Sequence, residues 1–219
     1  MIRAALLATA LFAAGPARAQ ADDAIVRDSA GPYQLVPTDG RPACAVELGL
    51  SRLDDNARRA VPGACPHVPA LARVAAWRLD DGTVLLDAQR KPVMRFVEDE
   101  TALPSFADLQ APLFYLVPAL PGFTHLLQAG EWAGRWKIAQ RGKPLCTITL
   151  VPRRGASPGD LRPVATAGCP RRSAIARLTG WSLEDLQLML WGPDDQLLAF
   201  APIGRGRWVA EPGGWSLTK

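Results

Sequence analysis

Apolar and polar positions alternate with a period of two along much of the chain, the pattern of half-buried strands rather than of helices. The clearest runs lie in the second half. Residues 135–140 place Trp136 and Ile138 on one face, and residues 145–151 set Cys146, Ile148 and Leu150 against Thr147 and Thr149. Further strands are predicted over 161–167, 179–183, 186–191, 196–202, 207–210 and 215–218, with a short turn or helical piece after Cys169-Pro170. Turn residues fall between them, at 141–144, at Gly192-Pro193-Asp194-Asp195 and at Glu211-Pro212-Gly213-Gly214. Eight short strands with hairpin-length connections predict an antiparallel up-and-down barrel, whose closure removes exposed edges. The interior of such a barrel just admits side chains, and Trp136, Trp181 and Phe200 are the expected filling.

The first half carries the same pattern less regularly. Strand-like runs cover 33–35, 43–50, 75–79, 83–87, 92–97 and 113–117. Residues 53–59 are polar and read as loop or helical turn where the second half has a strand. Residues 98–110 are acidic, and Ser105-Phe106-Ala107-Asp108 reads as a helix start. An incomplete or distorted first barrel is therefore expected.

The two halves are copies of one pattern. Cys65-Pro66, Trp77 and Phe96 recur as Cys169-Pro170, Trp181 and Phe200, each displaced by 104 residues. Upstream, Cys44 and Cys146 match at a displacement of 102. Such a period is too long for a solenoid or a propeller blade, and it predicts two small domains in tandem. The expected boundaries are residues 22–118 for the first barrel, 119–131 for a linker and 132–219 for the second. At that joint Pro118, Pro121 and Gly122 break regular structure, and one helical turn is predicted over 125–129. His125 reads as a linker residue.

Residues 1–21 read as a leader. Arg3 precedes an apolar run over 4–14, and small-x-small sites allow cleavage after Ala19 or Ala21. The run is too short to span a bilayer, and no cysteine stands at the cut to receive a lipid, so a periplasmic or secreted monomer without a transmembrane segment is expected. Export changes the reading of the four cysteines. One pair per copy, Cys44 with Cys65 and Cys146 with Cys169, suits disulfides in an oxidising compartment. Zinc is the competing reading, weakened because no C-x-x-C occurs and neither His67 nor His125 recurs between copies. No cofactor or resident metal is expected.

Net charge is +4, divided unevenly: ten basic and fourteen acidic residues fall between 20 and 118, thirteen and seven between 119 and 219. The basic residues of the second half are scattered, which argues against nucleic acid as a partner. No nucleophile elbow or metal motif is present, so catalysis is not expected.

The succession Gly134, Trp136, Ile138, Cys146, Ile148, Leu150, Cys169, Pro170, Trp181, Leu188, Leu190 and Phe200 resembles the bacterial alkaline proteinase inhibitor family. The first copy resembles it through Gly31, Tyr33, Leu35, Cys44, Val46, Leu48, Cys65, Pro66, Trp77, Leu86 and Phe96. Members of that family inhibit serralysin-type zinc proteases, include outer-membrane lipoproteins, and usually carry one barrel where this chain has two. The resemblance implies an eight-stranded, lipocalin-like barrel with one disulfide, and inhibition by a mature N-terminal arm that enters the protease cleft. Here Asp22, Asp23, Ala24, Ile25 and Val26 occupy that place, and a secreted or periplasmic protease is the implied partner. Two other classes fit the pattern, a lipocalin-like carrier of a small ligand and a binding or structural module of the cell envelope. The bulky inward positions disfavour the carrier.

Overall fold

The computed structural model describes residues 24–99, 102–106, 113–153, 160–194, 196–211 and 213–219. The leader, Asp22 and Asp23 lie outside them. The described chain is almost entirely β and forms two closed antiparallel barrels of eight strands. The first consists of β1 (Gly31–Pro37), β2 (Cys44–Arg52), β3 (Arg58–Pro62), β4 (Ala76–Leu79), β5 (Gly82–Leu86), β6 (Pro92–Asp99), β7 (Ala102–Phe106) and β8 (Phe114–Pro118). The second consists of β9 (Gly134–Gln140), β10 (Lys143–Leu150), β11 (Arg162–Ala167), β12 (Gly180–Glu184), β13 (Gln187–Trp191), β14 (Leu197–Gly204), β15 (Arg207–Ala210) and β16 (Trp215–Thr218). Each strand pairs with its chain neighbours, and β1–β8 and β9–β16 close the two circles.

Alternation becomes burial as expected. Along β2, Cys44, Val46 and Leu48 point inward while Ala45 and Glu47 are exposed; along β9, Trp136 and Ile138 are buried between exposed Arg135 and Lys137. Two-residue turns join β9 to β10 and β14 to β15. Both central residues take positive φ in each, Arg141 with Gly142 and Arg205 with Gly206. That is the turn geometry whose twist suits a hairpin, and glycine meets it without strain.

The interiors are filled by side chains. Trp77, Phe96, Trp181 and Phe200 have no exposed surface and Trp136 is 2% exposed. The repeat is visible even in single hydrogen bonds. Trp77 Nε1 donates to the Gly49 carbonyl at 2.8 Å, and Trp181 Nε1 donates to the Val151 carbonyl at 3.1 Å. Each indole thereby satisfies the one polar group that its burial would otherwise strand. After Cys-Pro, each copy makes a short 3-10 turn, Pro69–Arg73 and Ala174–Arg177, that buries Leu71 and Ile175 respectively.

Four expectations for the first copy and the joint are corrected. The first barrel is closed rather than incomplete. Residues 53–57 are irregular as read, but the third strand begins directly after them, at Arg58. Its pattern was faint because it buries only Ala60 and exposes Val61. Ser105 and Phe106 belong to β7 and do not start a helix, since pairing of Ser105 with Val97 on one side and Tyr115 on the other overrides the local capping pattern. Ala107 and Asp108 lie outside the described residues. At the joint, the helical turn is Ala129–Trp132, later than predicted, because Gln128 and Glu131 form a reciprocal capping box at its start.

The joint is not a free tether. It runs along the outside of the first barrel, where the Ala119 amide donates to the Pro32 carbonyl, Gln34 Nε2 donates to the Phe123 carbonyl and the Ala43 amide donates to the Thr124 carbonyl. Val36, Tyr115, Val117, Phe123 and Leu186 form one apolar cluster in which both barrels and the joint take part. Tyr115 crosses the gap with a hydrogen bond from its hydroxyl to Asp185 at 2.8 Å. Burial first, then the Asp185 bond and charge, push the phenol above its ordinary value, so it stays protonated and donates. Tyr115→Phe is expected to cost about 1 kcal/mol. Hydrogen exchange should quicken in β8 and the β12–β13 turn while the barrel cores stay protected.

Candidate functional site

The segment leading into the first barrel comes first, because the family resemblance points to it. Residues 24–28 form one helical turn, closed by the Ser29 amide and Ser29 Oγ, which both donate to the Ile25 carbonyl. Ile25 is 57% exposed, whereas Val26 and Ala30 pack against the core of the first barrel. The arm residues are thus divided. Ile25 is presented to solvent, Val26 anchors the segment at the barrel end, and Asp22 and Asp23 lie outside the described residues.

The corresponding segment of the second barrel is the joint, and it is fully engaged. The helix Ala129–Trp132 buries Trp132 at 1% exposure, with ring centroids 4.8 Å from Trp136 and 4.4 Å from Trp208. Trp136 Nε1 donates to the Trp132 carbonyl at 2.7 Å. Upstream, the Arg205 amide donates to the Pro121 carbonyl, and Pro42 bridges to His125 in an antiparallel ladder contact. His125 Nε2 also lies 2.8 Å from Glu131 Oε1. Partial burial works against the Glu131 carboxylate, yet the Gln128 amide and His125 outweigh it and hold the group below its ordinary range. A chain threaded in this way offers no free amine ahead of the second barrel.

Where the barrels and joint meet there is a cleft of about 460 Å³, whose lining includes Tyr115, Leu126, Trp132, Arg162, Asp185 and Leu186. Arg162, only 2% exposed, donates from Nη1 to the Asp160 carbonyl and lies 4.9 Å from the Trp181 ring centroid. Sequence reading missed this cleft. Its one available signal was the unbroken apolar run Phe114 to Val117, too continuous for a strand with one wet face.

The four cysteines pair within their copies, Cys44 with Cys65 and Cys146 with Cys169. Each bridge closes a loop of about twenty residues, a size at which cross-linking contributes roughly 3 kcal/mol by restricting the unfolded chain. Such bridges persist in oxidising compartments, which fits a secreted or periplasmic protein. Among the described residues no helix is long and apolar enough to cross a membrane.

What the fold and these features define is a class: paired small β-barrels with packed interiors, each pinned by one disulfide. Comparison with known families makes this specific. Residues 126–218 match the model of the family described as protease inhibitor Inh. The second barrel, with its leading helix, is thus the part of the chain that is similar to that protease inhibitor family, and the first barrel repeats its topology. A search among curated proteins finds no match to the chain.

Proposed function

We propose that this protein is an exported inhibitor of a zinc metalloprotease, and that the arm ahead of the first barrel is the segment that enters the protease cleft. The proposed division is residues 22–118 as the inhibitory barrel, 119–131 as the joint and 132–219 as the second barrel. The observation that carries the reading is the contrast between the two leading segments. Ahead of the family-matched barrel the chain is held by Pro121, Thr124 and Trp132. Ahead of the first barrel, among the described residues, Val26 and Ala30 pack against the core and Ile25 is exposed.

A strand-like insertion requires the turn over residues 24–28 to unwind. A single turn has little stability of its own, so the cost is small beside the main-chain hydrogen bonds that an extended segment gains in a cleft. Asp22 is the proposed functional start: its free amine and its carboxylate both suit a zinc ion. The filled barrel interiors weigh against a ligand carrier.

Titration of the purified mature protein against a panel of zinc and serine proteases tests this reading. Stoichiometric loss of activity in a zinc protease alone is the expected result. Inhibition of serine proteases alone would overturn the metalloprotease assignment, and activity of every enzyme at high inhibitor excess would favour an envelope binding module.

A further inference from the structure

The two disulfides differ in one neighbour. His67 follows Cys65-Pro66 in the first copy, where Arg171 follows Cys169-Pro170 in the second. His67 Nε2 lies 2.8 Å from the Pro42 carbonyl oxygen, 3.4 Å from Cys44 Sγ and 3.7 Å from Cys65 Sγ. A carbonyl oxygen can only accept, so Nε2 carries a hydrogen, and this N–H also faces both sulfurs. The residue is held from behind. Arg41 Nη1 donates to the His67 carbonyl at 3.1 Å, and Arg41 Nε is in turn fixed by Asp39 at 2.7 Å. The sulfurs are unequally reachable, Cys44 being 2% exposed and Cys65 half-buried. In the second copy, Cys169 Sγ lies 4.0 Å from the Thr147 carbonyl oxygen and 3.9 Å from that of Ala167, contacts like the one Cys44 Sγ makes with the Pro42 carbonyl at 3.9 Å. Such acceptors disfavour a thiolate in either copy, and what the first copy adds is the His67 N–H 3.4 Å from Cys44 Sγ.

We propose that Cys44–Cys65 is a thiol-exchange site, opened by an external dithiol with His67 supporting the departing sulfur, and that Cys146–Cys169 is a structural staple. A thiolate of the reductant attacks Cys65 Sγ, the more accessible sulfur. A bond forms from the reductant to Cys65 as the Cys44–Cys65 bond breaks, and the electron pair leaves on Cys44 Sγ. That thiolate takes the Nε2 hydrogen bond of His67 in place of the Pro42 carbonyl, a stronger bond because the acceptor is charged. Stabilising the leaving thiolate speeds exchange. The second thiol of the reductant then displaces Cys65, so the dithiol ends oxidised and both barrel cysteines end reduced.

The position of the bridge gives its opening a consequence. Pro42 bridges to His125, and the Ala43 amide donates to the Thr124 carbonyl at 2.8 Å. Reduction releases the start of β2, the stretch that grips the joint, so the redox state of one bridge sets how firmly the two barrels are tied.

The experiment incubates oxidised mature protein with dithiothreitol under native conditions, quenches samples by alkylation and follows each cysteine pair by peptide mass mapping. Cys44–Cys65 is expected to open severalfold faster than Cys146–Cys169. Accessibility alone predicts no such lead, since Cys65, Cys146 and Cys169 are all partly exposed and Cys44 is buried. His67→Ala is expected to slow the first bridge and leave the second unchanged. A merely structural role for His67 would do the opposite, because a loosened barrel exposes its bridge and speeds reduction. Equal rates in the unaltered protein, or a first bridge that opens as fast or faster in His67→Ala, would overturn the proposal. Should the variant not fold, the rate ratio in the unaltered protein decides alone.

Discussion

Trp181→Ala is expected to remove about 3–5 kcal/mol from the second barrel, the usual loss when a fully buried large aromatic is truncated. The ring has no exposed surface, and three separate contacts go with it. Its indole nitrogen donates to the Val151 carbonyl, the guanidinium of Arg162 lies 4.9 Å from its centroid, and it belongs to the cluster that includes Trp136, Leu150 and Phe200. Arg162 makes the loss larger than area alone suggests, since a charged group this deeply buried keeps its desolvation cost when a partner disappears. For a domain of this size each kcal/mol moves the midpoint by roughly 4–8 °C, so the second barrel should melt at least ~12 °C early. The first barrel should remain folded at that temperature, though not untouched. Unfolding the second barrel strips Leu186 from the cluster shared with Val36, Tyr115, Val117 and Phe123. Two resolved transitions in calorimetry, the first strongly shifted and the second slightly, are the expected result. A single transition shifted as a whole would show the barrels to be one cooperative unit.

The second copy was legible almost strand for strand, for a physical reason. Its inward positions carry Trp136, Ile138, Ile148 and Leu150, and its outward ones carry charges and threonines, so period two stands out. The first copy hid β3 behind Ala60 and Val61, where the small residue is inside and the larger one outside. It hid β7 behind a local capping pattern that only long-range pairing overrides. The disulfides followed from the repeat, because each pair sits within one copy. The engagement of the joint did not, since it depends on what covers the outer face of β1 and β8. Period two reports one buried face. A strand buried on both faces, such as Phe114–Pro118, reads as plain apolar sequence and does not say which neighbour covers it. The proposed arm rests on resemblance, because a short exposed segment has no core of its own to imprint a pattern.

Deleting residues 22–25 from the mature protein is expected to abolish protease inhibition and leave the thermal melt unchanged. Val26 is kept because it packs against the first core, whereas Ile25 is 57% exposed and contributes little to that core. The bonds that close the turn, from the Ser29 amide and hydroxyl to the Ile25 carbonyl, lie at the surface, where water replaces them at small cost. On the proposed mechanism the same residues matter greatly to the complex. Ile25 fills an apolar subsite, and the main chain from Asp22 onward supplies the extended hydrogen bonds. The starting residue matters as well. A protein that begins at Gln20 can cyclise its terminal glutamine and lose the basic amine, whereas one that begins at Asp22 keeps an amine beside a carboxylate. Proteins prepared with each start should therefore differ in inhibition while sharing one melt. Equal and full inhibition by both starts and by the deletion would move the protease contact from the arm to the barrel surface. The joint would then have to be reconsidered, since the family-matched barrel presents its own loops whether or not an arm precedes it.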